Sequence, residues 1–221
     1  MTFSGYVVYG LLTVCAWVGL SAPHPRIVML QKVLVIFQKH HQQIMLAHGR
    51  HHIGKYNYYD ISMDKIYKAG DKVAKHLNPV WRDKSNFIIR SYLEEKNGHN
   101  EWEQLWALQL DEKKFSICCI PFFTYDLALG DEVETDVNYT VLGVVKASGS
   151  ITFRVWFGDS RHLEIKDEVQ HYIDSLGVLL EWSSDNLLAI SADNINQAQQ
   201  VADYLYARQN LGELMYETGH R

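Results

Sequence analysis

The stretch that most restricts the fold of this chain starts at Ile151, where strand-like and helix-like hydrophobic periods alternate in a fixed order. Ile151 to Phe157 is rich in β-branched and aromatic residues and reads as a strand. Ile165, Val169, Tyr172, Ile173 and Leu176 then fall at helical spacing, with Gly177 as a natural C-terminal stop. Val178 to Trp182 and Leu187 to Ser191 read as strands joined by Ser184-Asp185-Asn186. A second helix opens on Asn194 as N-cap with Gln197 three residues on; it turns Ile195, Ala198, Val201, Ala202 and Leu205 inward and ends near Gly212. Leu214 to Glu217 closes the series. The order β-α-β-β-α-β is the split βαβ arrangement of ferredoxin-like domains. Unrelated functions share that scaffold, so no activity follows from it.

Ahead of this half, short apolar runs are punctuated by turn residues: Phe87 to Leu93, Gln104 to Leu110, Phe115 to Ile120, Glu132 to Asp136 and Thr140 to Lys146. They predict a strand-rich sheet or small barrel. Asp111 to Lys114 and Ala147 to Ser150 are short enough to be hairpin links in a meander. From Ser62 to Leu77, an N-cap serine, Asp64 in the first turn and Ile66, Val73 and Leu77 along one side predict a helix that Gly70 weakens. The expected class is therefore α+β, in four parts. Residues 1–62 form an N-terminal extension and 63–85 a linker helix; 86–157 form the strand-rich half and 151–221 the ferredoxin-like half, which share one strand.

A corner in the strand-rich half carries the candidate site. Pro121 cannot donate to a ladder and ends a strand, Gly130 supplies a turn, and Phe122, Phe123 and Tyr125 fall in the connection between them. Such a loop either folds back over the core or presents a binding patch. Asp126, Asp131, Glu132 and Glu134 flank the aromatics, and the two aspartates also suit turn-capping roles. These seven residues are the candidate partner-binding set.

Leu105-Trp106-Ala107, Pro121-Phe122-Phe123 and Ala128-Leu129-Gly130-Asp131 occur in that order. Leu176-Gly177, Leu188-Ala189-Ile190, Val201 to Leu205 and Tyr216-Glu217 follow. In this pattern, over roughly residues 87–219, the chain resembles an uncharacterised bacterial family, domain of unknown function 4265. The resemblance implies no particular activity. Where that family usually carries Gly-Cys after the first late helix, this chain has Gly177-Val178, so any role of that cysteine is absent here.

Charge is unevenly divided. Residues 1–85 hold 11 Lys and Arg against 4 Asp and Glu, whereas residues 86–221 hold 10 against 22. A body with a net charge of −12 disfavours nucleic acid, whose phosphates demand cations; it suits solubility or a basic partner. Cys15, Cys118 and Cys119 give no disulfide framework, and neighbours in a strand face opposite ways, so a reducing cytoplasm fits best. Gly5 to Ala22 is uncharged and largely apolar, which leaves three readings open: a membrane segment, a cleaved signal, or an over-extended start. Membrane contact is expected only through residues 5–22. His40, His41, His48, His51 and His52 are dense enough to suggest a metal, but no Cys or well-placed carboxylate completes a set, so no metal or cofactor is expected.

No nucleophile elbow, phosphate loop, His-Glu-x-x-His or Cys-x-x-Cys occurs. His162, His171, Asp159, Asp167 and Glu168 would make an acid-base or metal set only if the fold gathered them. The leading expectation is a non-enzymatic acidic binding protein that captures a basic protein partner, in the manner of immunity or antitoxin-like proteins. A small-molecule-sensing regulatory domain and an unrecognised hydrolase are the alternatives.

Overall fold

The structure, a computed structural model, describes residues 67–158 and 163–219. The first half contributes β1 (Lys72–Ala74), β2 (Phe87–Lys96), β3 (His99–Gln109), β4 (Lys114–Ile117), β5 (Glu132–Thr135) and β6 (Val141–Lys146). Strands β2 to β6 pair in sequence order as the expected antiparallel meander, and β1 adds in parallel along the first part of β3. The sheet curls around Ile89, Leu105, Phe115, Ile117, Leu127 and Val133, but it does not close. One isolated bridge, Arg90 to Thr140, joins its two ends, so the sheet alternative is the one realised and the small barrel is not.

Three local expectations are corrected. Residues 67–77 are not helical. Gly70 takes φ +94°, outside any right-handed helix, and the Asp71 carboxylate accepts from the Asn100 N–H and Trp102 Nε1, which ties the following residues to β3 as a strand. Strand β4 stops at Ile117 rather than Ile120, because the Ile120 N–H donates to a Glu181 carboxylate oxygen instead of a ladder. The link 147–150 is a crossing between two sheets and not a hairpin, since β7 (Ile151–Trp156) pairs elsewhere.

The second half adds α1 (Leu163–Ser175), β8 (Leu179–Ser184), β9 (Leu187–Ala192), α2 (Ile195–Asn210) and β10 (Met215–Thr218) to β7. Its sheet is antiparallel in the order β10-β7-β9-β8, the ferredoxin-like topology that the hydrophobic periods predict. Gly177 ends α1 at φ +70°, and the Asn194 side chain caps α2 by accepting from the Asn196 and Gln197 N–H groups. Val169, Ile173, Ala198, Val201 and Leu205 pack onto Phe153, Val155, Leu188 and Ile190, which covers one face of the sheet. Strand β9 is buried at every position, so its other face is covered too. That second cover is the aromatic corner: Ile120, Phe122 and Leu129 cluster with Ala189.

Among the described residues no helix is long and apolar enough to cross a bilayer. The segment Gly5 to Ala22 and the histidines from His40 to His52 lie outside the described residues.

Candidate functional site

Alternation along the second sheet places one charged row on the face that meets the corner. Arg154 on β7 lies opposite Ala189 on β9 and Glu217 on β10, and Glu181 on β8 lies opposite Ala189 from the other side. The first half answers with Glu103, in phase with Leu105 and Ala107 on β3, and with His76 just past β1. His76, Glu103, Arg154 and Glu181, which all reach the corner, are buried.

His76 sits between two carboxylates. Its Nδ1 contacts Glu181 Oε1 and its Nε2 contacts Glu103 Oε1 at 3.0 Å, while its ring stacks on Phe122 with centroids 4.0 Å apart. Burial alone opposes charge on the imidazole, yet Cys119, Glu181 and Glu103 around it raise its pKa well above the ordinary histidine value. Two carboxylates flanking one imidazole make the protonated form the one this geometry holds. Burial would likewise push Glu103 up, but His76, the Thr124 hydroxyl and the Phe122 N–H hold it at about 2. Glu103 also accepts from the Phe123 and Thr124 N–H groups, at 3.2 and 2.7 Å. Glu181 accepts from the Ile120 N–H at 3.0 Å. The corner therefore wraps its backbone donors around two buried carboxylates, which offsets the cost of burying them.

Arg154 grips the corner from the opposite side. Its guanidinium pairs with Glu217 at 3.1 Å, donates to the carbonyls of Pro121 and Thr124, and lies over the Tyr125 ring at 4.4 Å. The Tyr125 hydroxyl donates to the same Glu217 carboxylate at 2.8 Å.

This network holds an imidazole, a thiol and carboxylates, the ingredients of acid-base or nucleophilic chemistry, but in states unsuited to it. Burial raises the pKa of Cys119 despite His76, so the thiol keeps its proton, and the His76, Glu103 and Cys119 side chains are shut away from solvent. A general acid or base must reach the proton it moves. The arrangement is a clamp between two sheets.

The seven candidate residues part company here. Phe122 is 1% exposed, and Phe123 and Tyr125 are half-buried. Asp131 is buried and accepts from the Ala128 and Ser148 N–H groups, at 2.8 and 2.7 Å, the turn-capping role open to it from sequence. Asp126 is exposed at φ +56°, and its N–H donates to Gly219 O at 2.7 Å. Glu132 pairs with Lys146, and Glu134 is exposed on β5. The fold thus gathers Phe122, Phe123 and Tyr125 around the clamp and leaves Asp126, Glu132 and Glu134 nearer solvent. His171, Asp167 and Glu168 are exposed along α1, where Glu168 is taken up by Arg208, while Asp159 and His162 lie outside the described residues. Among the described residues, no group of three or more His, Cys, Asp or Glu is arranged to hold a metal ion.

His76, Glu103, Arg154, Glu181 and Glu217 were missed from sequence. The available signal was phase: Glu103 alternates with core residues, and Arg154 stands between the core residues Phe153 and Val155.

A meander sheet clamped to a ferredoxin-like half through buried charge defines the class, an α+β protein whose principal polar cluster is internal. The chain belongs to the family described as Domain of unknown function (DUF4265), which matches residues 103–216. Of the segments that carry the resemblance, Pro121-Phe122-Phe123 and Tyr216-Glu217 contribute to the clamp, while Val201 to Leu205 packs in the helical layer on the other face of the second sheet. The structure described as "Novel crystal structure of a hypothetical protein from Neisseria gonorrhoeae" is similar, with a TM-score of 0.50 and 19% identity over 59% of this chain and 91% of that one. That likeness shows the fold alone. No curated protein matches the chain.

Proposed function

We propose that the protein is a non-enzymatic binding protein whose acidic body captures a basic protein partner. The carrying observation is what folding leaves outside. Among the described acidic residues of 86–219, only Glu101, Glu103, Asp131 and Glu181 are buried, and Arg90 and Arg154 are buried with them. The negative excess therefore stays almost whole on the surface, where it steers cationic partners and sets association rate and specificity. The saturated state of His76, Glu103 and Cys119 supports the same reading, since the best-built polar cluster is occupied in holding the fold.

The test is a pull-down from native lysate with the full chain as bait, at low and at high salt. One basic protein retained at low salt and released at high salt is the expected result. No specific protein at either salt sinks the reading and directs the search to small molecules, for which a ligand at about 100 times its dissociation constant stabilises by about 2.7 kcal/mol.

A further inference from the structure

We infer that the basic partner docks on the helical layer, the outer sides of α1 and α2, and that its arginine side chains make the contact, each set between a carboxylate and a tyrosine ring. This rests on the acidic-capture reading and gives it a place.

The acidic excess belongs to one half of the molecule. Residues 67–158 hold 13 Asp and Glu against 11 Lys and Arg, a net −2, whereas residues 163–219 hold 10 against 2, a net −8. The interior takes little of the second figure: Glu181 goes to His76 and Glu217 to Arg154. Both faces of the second sheet are covered, one by α1 and α2 and the other by the aromatic corner, so this half meets solvent largely through the outer sides of its helices. On α1, Glu164, Asp167, His171 and Asp174 recur at spacings of three, four and three, which sets them on one stripe, and all four are exposed. Lys166, the one Lys or Arg of α1, lies off that stripe and donates to the Asp185 carbonyl.

The chain's own Arg208 displays what this layer offers a cation. Its guanidinium pairs with Glu168 and, at 2.9 Å, with Glu213, and it lies 5.2 Å from the centre of the Tyr204 ring. Tyr204 stacks in turn on Tyr172 of α1, with centroids 3.9 Å apart, and Tyr172 is 41% exposed, next in sequence to His171 of the acidic stripe. On α2, Tyr206 is 51% exposed and lies one turn from Asp203. Tyrosine beside a carboxylate favours arginine over lysine, because a guanidinium stacks on the ring while its fork donates to the acid, whereas an ammonium acts as a point charge. Tyrosine is also a residue type that anchors interfaces, and the acids around these rings fix the sign of what they anchor.

The test uses the full chain and two synthetic peptides of equal length and charge, one alternating arginine with serine and the other lysine with serine, measured by calorimetry at low salt. The arginine peptide should bind at least about threefold tighter, with amide shifts concentrated in residues 163–175 and 195–218. Asp167→Asn/Asp174→Asn, at two exposed positions, should weaken both peptides about threefold or more. Glu95→Gln/Glu112→Gln removes the same amount of charge from the first half and should weaken them less than about twofold. Tyr172→Leu/Tyr206→Leu should abolish the preference for arginine. If the first-half variant weakens binding as much as the α1 variant, or if the wild-type chain binds the two peptides alike, the docking surface is wrong while acidic capture stands. If neither peptide binds, both readings fall.

Discussion

Replacing Glu103 by Gln tests the clamp at its centre. The change keeps size and removes one charge, but the amide nitrogen cannot accept, so some of the donors converging on that group, Phe122 N–H, Phe123 N–H, Thr124 N–H, the Thr124 hydroxyl and His76, lose their acceptor. The native carboxyl sits at about 2 against an ordinary 4.5. At roughly 1.36 kcal/mol per pH unit this corresponds to about 3 kcal/mol, the lower end of the ~3–5 kcal/mol that breaking a buried pair costs. Because the folded value lies below the unfolded one, that stabilisation is complete above pH 4.5 and is lost as pH falls through about 2. Urea unfolding followed by tryptophan fluorescence should show the variant about 3 kcal/mol less stable at pH 7. The gap should shrink steadily from about pH 5 towards pH 2. A loss under about 1 kcal/mol at pH 7, or a gap that stays constant down to pH 2, would refute the reasoning.

Further outcomes follow from the same geometry. His76 has the opposite sign: its folded pKa is raised, so its contribution is complete below the unfolded value near 6.5 and is lost as pH rises through the folded one. The wild type should therefore lose stability on the alkaline side in a step that His76→Gln lacks, and proton NMR of the imidazole should place the transition above the ordinary histidine range. Arg154→Met removes the cation between Glu217, Tyr125 and the corner carbonyls and should cost about 3–5 kcal/mol by urea unfolding. Adding Glu217→Gln should recover part of that loss by removing the stranded carboxylate. Asn194→Ala deletes the acceptor for two N–H groups at the start of α2 and should cost about 1 kcal/mol, most of which Asn194→Asp should restore.

Much of the architecture was legible because it rests on local period and local punctuation. Ile165, Val169, Ile173 and Leu176 mark a helix whatever surrounds them, Asn194 and Gly177 mark ends, and the meander follows from short links between β-rich runs. The order of strands and helices in the ferredoxin-like half is likewise written along the chain. The same local signal misled over residues 67–77, where thin helical spacing yielded to Asp71 reaching Asn100 and Trp102, residues distant in sequence. It misled again at residues 147–150, where a turn-rich link looked like a hairpin but β7 found its partners in β9 and β10.

What tertiary structure alone decided is which charges are spent inside. In the sequence, Glu103, Glu181 and Glu217 count towards a net charge of −12 like any other acid, and Asp131 stands beside Glu132 as one acidic patch. Folding brings Glu103 and Glu181 to one imidazole, gives Arg154 to Glu217 and turns Asp131 into a turn cap, which leaves Glu132 and Glu134 on the outer strand pair. The physical reason is that a charge's role depends on its solvation and partners. Both are set by contacts across tens of residues, whereas helical and strand periods are set within a few.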